Sequence, residues 1–331
     1  MTLPILCFSI TITLFAFLCT VILLRMLIPV LTSHKIGQKI YDIGPRWHKS
    51  KEGTPIMGGV SFIIPVAIAV LFFTLLSGLG GKFRTESTSF GILLLALPNG
   101  AIGFIDDYTK LIKKQNQGLK AWQKLVLQLA VSGAFVAFLA LSGMVSTKLY
   151  VPYFKVRADL GIFYYIFLVL FITGTVNSVN LTDGIDGLAA SVTSFIALLF
   201  TVFAVVKGNI GLASAPASLL GGCAGFLVYN TYPAKIFMGD TGSLFLGGMV
   251  AGLAIAVNNP LILLVCGIIY YIEELSVILQ VGYFKLTHGK RLFKMAPIHH
   301  HFEKCGWSEL MIVAVFSTVT LLCCVLAWFG L

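Results

Sequence analysis

The chain has 331 residues, of which 58% are hydrophobic and 11% charged, against roughly 25% charged in an ordinary soluble domain. With a mean hydropathy of +0.95, this excludes a soluble globular enzyme, a disordered tail and a disulfide-stapled secreted module. The net charge of +10 would suggest nucleic acid in a soluble protein. In a membrane protein it points instead to basic cytoplasmic loops, anionic lipid headgroups and anionic substrates, with no nucleic acid.

Apolar runs of about 20 residues, enough for a helix to cross a bilayer, recur along the chain. They are continuous, not alternating, which argues against a transmembrane β-barrel. In chain order the predicted spans are 3–31, 55–78, 88–105, 124–143, 160–178, 187–206, 211–229, 242–257, 260–284 and 310–331. The first lacks a basic leader and a small-residue cleavage site, so it is expected to be a retained helix. The eighth is short and glycine-rich, and the ninth carries Glu273 and Glu274. Between the fourth and fifth, residues 146–157 suit a small β-hairpin or an interfacial segment. The cysteines form no C-x-x-C pair and read as small buried hydrophobes. The expectation is an all-α integral membrane bundle of about ten helices, with residues 1–331 forming one domain. Sixteen Lys and Arg fall in the loops after the odd-numbered spans and six in the others. That bias makes the sixteen-residue side cytoplasmic and turns both termini outward.

Polar clusters interrupt this pattern, and all lie on the predicted cytoplasmic side. Lys51 precedes a Gly-Thr-Pro turn that launches span two; its spacing is not that of a phosphate-binding P-loop. Asp106 and Asp107 close span three. Paired carboxylates at a membrane boundary are costly unless a cation compensates, and Mg²⁺ favours oxygen ligands. Solvated acids at a helix end are the plainer alternative. The run N-L-T-D-G-I-D-G places Asn180, Asp183 and Asp186 three residues apart. If Asp183 to Asp186 form the first turn of span six, their carboxylates share a face; helix capping by Thr182 or Asp183 is the alternative. Asp240, in F-M-G-D-T-G-S, opens span eight as a candidate metal ligand or N-cap, with Asn230 and Lys235 upstream. His299, His300 and His301 follow Pro297. Three consecutive histidines cannot all point one way, and no second ligand set at zinc spacing accompanies them. Hydrogen bonding to a phosphate or sugar is the favoured role.

Carboxylates alone would repel an anionic ligand, so a divalent cation is implied. A lipid phosphate meeting a soluble nucleotide at the interface would need both the membrane and the cation, and phosphoryl transfer between them relies on positioning and charge neutralisation. A transporter of an anionic solute would instead place polar groups at mid-membrane and on both faces.

The motifs D-D-Y, N-L-T-D-G-x-D-G-L-A and F-M-G-D-x-G-S resemble those of the polyprenyl-phosphate N-acetylhexosamine-1-phosphate transferases. G-T-P-x-M-G-G and M-A-P-I-H-H-H-F-E resemble that superfamily's muramoyl branch. The resemblance runs from about Lys51 to Trp307. It implies transfer of phospho-N-acetylmuramoyl-pentapeptide from UDP-MurNAc-pentapeptide to undecaprenyl phosphate, giving lipid I and UMP. The sister UDP-GlcNAc reaction is the alternative, against which the histidine run speaks. It also implies Mg²⁺, a homodimer, sensitivity to nucleoside inhibitors, and a bacterial cytoplasmic membrane location. By the same resemblance Asp240 is the Mg²⁺ ligand and Asp106 and Asp107 are the essential carboxylate pair. Lys51, Asn180, Asp183, Asp186, Asn230 and Phe237 match nucleotide-pocket positions, with Phe237 suited to stack on uracil. His299, His300 and His301 match the histidine motif, and Lys110 and Gln280 match lesser pocket positions. Ile56 departs from the threonine common there, and Glu274 is unusual beside Glu273.

Overall fold

The computed structural model describes residues 2–33, 51, 53–77, 88–112 and 118–331. Among these are twelve helices: α1 (Thr2–Ser33), α2 (Val60–Ser77), α3 (Thr88–Ile112), α4 (Ala121–Leu141), α5 (Phe163–Thr182), α6 (Leu188–Val206), α7 (Ile210–Asn230), α8 (Gly239–Ala256), α9 (Ile262–Cys266), α10 (Ile268–Leu286), α11 (Ile298–Lys304) and α12 (Glu309–Trp328). Eight of them, α1, α3 to α8 and α12, are long and apolar enough to cross a membrane unaided. The protein is an all-helical membrane protein.

Two of the ten expected spans differ in form. The second begins only at Val60, because Met57 (φ 68°) and the glycines after it run as loop beside residues 236–238. The ninth is divided at Gly267, which ends α9 and starts α10. Of the residues behind the orientation count, Lys35, Lys39, Arg46, Lys49, Lys82, Arg84, Lys113 and Lys114 lie outside the described residues. His34 and His48 do so too.

The expected hairpin is present. β1 (Lys148–Val151) pairs antiparallel with β2 (Val156–Asp159), with Lys148 opposite Asp159 and Tyr150 opposite Arg157. Asp159 accepts from Thr147 Oγ1 at 2.7 Å and from the Gly161 N–H at 3.1 Å, which closes the hairpin base.

The short eighth span is the centre of the bundle. From Thr241 to Ile255 every residue of α8 is buried. Its small residues let neighbours approach to backbone contact, the usual device where lipid supplies no hydrophobic drive between helices. A Cβ at Gly248 would meet Ala96 Cα of α3 at 2.7 Å, and one at Gly247 would meet Val176 Cα of α5 at 2.6 Å. α3 and α5 therefore clasp α8, and one end of these three helices, with the turn after α5, carries the acidic residues.

Candidate active site

α3 runs past the acids expected to end it, continuing to Ile112. Asp106 and Asp107 thus lie within a helix and are only 1% and 2% exposed. Their burial is explained by what they bind. Asp107 Oδ2 accepts from the Thr241 N–H (2.9 Å) and hydroxyl (2.7 Å), and Oδ1 from the Asp240 N–H (3.3 Å). It caps α8 from another helix, satisfying orphan donors at a terminus that favours negative charge. Asp106 Oδ1 accepts from the Leu119 N–H at 2.7 Å. Gly239 turns the chain with φ 71°, directly over the Asp107 carboxylate.

Asp240 completes the group: one oxygen from each of Asp106, Asp107 and Asp240 lies within 4.8 Å of the others. Lys110 reaches Asp106 at 2.6 Å, Asp240 at 2.8 Å and Asp107 at 3.4 Å. Lys124 reaches Asp240 at 2.7 Å and Asp106 at 3.5 Å. Asn180 donates to Asp240 Oδ1 and to Ser243 Oγ, both at 2.7 Å. The donors are all oxygen and the negative charge exceeds the positive, so the cluster suits a hard divalent cation.

Lys124 sits in the first turn of α4, not in a loop. It heads a column of polar side chains on α4 whose next two members join α4 to α5. Next comes Gln128 Oε1 with Asn177 Nδ2 (2.8 Å), then Ser132 Oγ with Thr173 Oγ1 (3.1 Å). Spacing of four on α4 keeps the three side chains on one face.

A second group forms around Lys51. Its ammonium lies 2.7 Å from Asp186 Oδ1, 2.6 Å from Glu309 Oε2 and 5.8 Å from the centre of the Tyr232 ring. Asp186 also accepts from the Ala234 N–H at 2.9 Å. Asn230 Oδ1 accepts from the Gly187 N–H (3.0 Å) while its amide donates to Ile236 O (2.8 Å). Phe237 is half-buried, its backbone paired with Pro55 and Gly58 at 2.8 Å each.

The expected helical turn over Asp183–Asp186 is not found. Asp183 ends α5, and α6 starts at Leu188 behind Gly187 in a left-handed conformation (φ 80°). Neither Thr182 nor Asp183 caps α6, and Thr182 bonds back to Ser178 O at 2.8 Å. Burial, then the charges of Asp240, Asp107 and Asp186, push the Asp183 carboxyl well above the usual range. Such a group holds its proton more firmly folded than unfolded. Its contribution to stability is therefore lost as pH rises from the ordinary carboxylate value through the raised one. Asp183→Asn is expected to raise Tm by roughly 2–4 °C at pH 8, with the gap closing toward pH 4. Thermal unfolding in EDTA checks this; a gap equal at both pH values would contradict it.

The three histidines diverge on α11. His299 is wholly buried, with Nδ1 3.0 Å from Glu273 Oε2 and Nε2 packed where a Cβ on Gly184 would stand. His300 packs against it with ring centroids 4.1 Å apart and planes tilted by 59°, and pairs with Glu303 at 2.5 Å. His301 faces away, accepting from the Lys294 N–H at 3.1 Å. Gln280 accepts from the Phe293 N–H at 2.8 Å and lines a groove of about 400 Å³ with Lys285, Arg291 and Lys304. Glu274 accepts from the Ser178 hydroxyl. Of the expected residues, Asp106, Asp107, Lys110, Asn180 and Asp240 are in mutual contact. Lys51 and Asp186 form the second group, with Asn230 beside it, and His301 and Gln280 touch neither. Sequence reasoning missed Lys124 and Glu309. A lysine within an apolar helix's first turn was the one signal for the former; Glu309 had none beyond being an acid at a span's start.

This arrangement, carboxylates and lysines gathered at one end of a membrane helix bundle, defines a class. The glycosyl transferase family 4 model matches residues 89–258, just over half of the chain. Among curated proteins, the phospho-N-acetylmuramoyl-pentapeptide-transferase of Clostridium novyi (strain NT) is 45% identical over 96% of this chain and 94% of its own. Those of Heliobacterium modesticaldum (48%, covering 89% of each chain) and Clostridioides difficile (42%, covering 96% and 95%) are similar. The chain belongs to the phospho-N-acetylmuramoyl-pentapeptide transferase family, a family of bacterial membrane enzymes.

Proposed function

We propose that this protein transfers phospho-N-acetylmuramoyl-pentapeptide from UDP-MurNAc-pentapeptide to undecaprenyl phosphate, giving lipid I and UMP, the first membrane step of peptidoglycan synthesis. The observation that carries this reading is the meeting of Asp106, Asp107 and Asp240 with Lys110 and Lys124, in a chain so similar to those relatives along almost its whole length. An oxygen of the lipid phosphate would attack the β-phosphorus of the UDP-sugar, with UMP as leaving group. One of the pair would accept the lipid phosphate's proton: Asp107 has both oxygens turned to the start of α8, and Asp106 holds the Leu119 N–H and Lys110. Asp240, flanked by the pair, would hold Mg²⁺, which when bound neutralises charge on the pyrophosphate. Lys110 and Lys124 stand where they can pair with the phosphate oxygens that displace them from Asp240. Lys51, Asn180, Asp183, Asp186, Asn230 and Phe237 would form the nucleotide pocket, with Gln280 and His299 to His301 toward the sugar and peptide. The basic-residue bias supports a site on the cytoplasmic face. The resemblance to the muramoyl branch supports a homodimer and sensitivity to nucleoside inhibitors.

The test is UMP release by purified protein with undecaprenyl phosphate. UDP-MurNAc-pentapeptide and UDP-GlcNAc are compared, each with Mg²⁺ or EDTA. Mg²⁺-dependent release from the muramoyl substrate alone is expected. Release from UDP-GlcNAc alone would move the protein to the sister reaction, and release in EDTA would remove the metal from the mechanism.

A further inference from the structure

Lys51 stands in the loop before α2, Asp186 in the α5–α6 loop and Ala234 in the α7–α8 loop. Asn230 at the end of α7 ties the second of these segments to the third. Glu309, the first residue of α12, joins the first two, and Asp186 carries the link to the third. Its Oε2 lies 2.6 Å from the Lys51 ammonium and accepts the Asp186 N–H at 3.1 Å. Asp186 in turn spans Lys51 (2.7 Å) and the Ala234 N–H (2.9 Å). Glu309 is 8% exposed and Asp186 3%, so these charged hydrogen bonds form largely away from water, where geometry matters most. One oxygen atom thus sets both a cation and the turn that faces it.

We propose that Glu309 is a positioning residue, fixing the Lys51 ammonium over the Asp186 turn so that it meets the bound nucleotide. This rests on the nucleotide-pocket reading of Lys51 given above. Glu309 touches no reacting atom and acts through Lys51. Truncating it leaves Lys51, among the described residues, with one carboxylate partner, Asp186, beside the Tyr232 ring, and frees the Asp186 N–H, so the lysine is held less firmly. Holding a binding group within about 0.5 Å of its productive place depends on supporting contacts of this kind.

The experiment uses the full chain in detergent with UDP and Mg²⁺ as probe. Calorimetry gives UDP affinity for wild type, K51A, E309A and K51A/E309A. Acetylation of Lys51, followed by mass spectrometry without nucleotide, reports whether its amine is held. E309A is expected to weaken UDP binding about tenfold and to raise Lys51 acetylation about fivefold. In the K51A background it should weaken binding no further, since coupled residues are non-additive; a general structural role would add in full. At saturating substrates kcat should stay within about threefold, so that the loss appears in KM. Should E309A fail to fold, E309Q carries the same cycle. Wild-type acetylation, or full additivity, would overturn the positioning role alone. Wild-type UDP affinity in K51A would overturn the nucleotide reading beneath it.

Discussion

Asp240→Asn is expected to lower UMP release by on the order of 10³-fold, the scale of losing a central charge-stabilising group. The carboxylate is the meeting point of the site: Lys110, Lys124 and Asn180 all reach it within 2.8 Å. An amide of the same shape keeps one acceptor oxygen but puts an NH₂ against one of those donors. It also removes a third of the negative charge that would hold a divalent cation. Two measurements separate the roles. UMP release should collapse at every Mg²⁺ concentration, and Mg²⁺, expected to raise the wild-type Tm by binding the native state, should no longer do so. Retention of most activity would end the assignment of Asp240 as the metal-binding residue.

The second large effect comes from a residue with no side chain. A Cβ on Gly103 would stand 2.0 Å from the Asp240 carbonyl oxygen and 2.6 Å from the Thr241 nitrogen. Both are backbone atoms of the first turn of α8, so no rotamer change relieves the clash. Gly103→Ala must therefore push α8 away from α3 by an ångström or more. Overpacking of this kind costs about 1–3 kcal/mol, and a displacement of about 1 Å at a catalytic centre costs about 10²-fold in rate. The expected result is a kcat near 1% of wild type with a lowered Tm. Gly91 lies on the same helix with nothing within 4 Å of its own Cβ position. Gly91→Ala is the control, with activity unchanged. Wild-type kcat in Gly103→Ala would show that the α3–α8 contact does not position Asp240.

The helices were legible because bilayer crossing imposes a length and a composition on each segment, and the acids stood out against that background. What they bind was not. Asp106 and Asp107 read as the end of a span because buried carboxylates in a helix look prohibitive. Asp107 is tolerable only because the first turn of α8, over 130 residues later, supplies its donors. No local pattern announces that. Asp183 and Asp186 have helical spacing, yet the left-handed Gly187 places them in a turn, where Asp186 answers to Lys51 and Glu309. Lys124 counts as one more basic residue at a membrane edge until the bundle brings it to Asp240 of α8. In each case side-chain chemistry was visible and its partner was not, since the partner is fixed by how helices pack.

The ladder between α4 and α5 has a consequence beyond holding two helices together. α4 meets the rest of the protein along a narrow stripe, with Trp122, Val126, Phe138 and Leu141 turned outward. A helix advances about 1.5 Å per residue along its axis, so a slip of one residue would carry Lys124 off Asp240. The polar rungs at Gln128 and Ser132 resist that slip, while mismatch between the outward stripe and the hydrocarbon around it favours tilt. The length of the surrounding acyl chains would in this way act as a mechanical load on the lysine that pairs with Asp240.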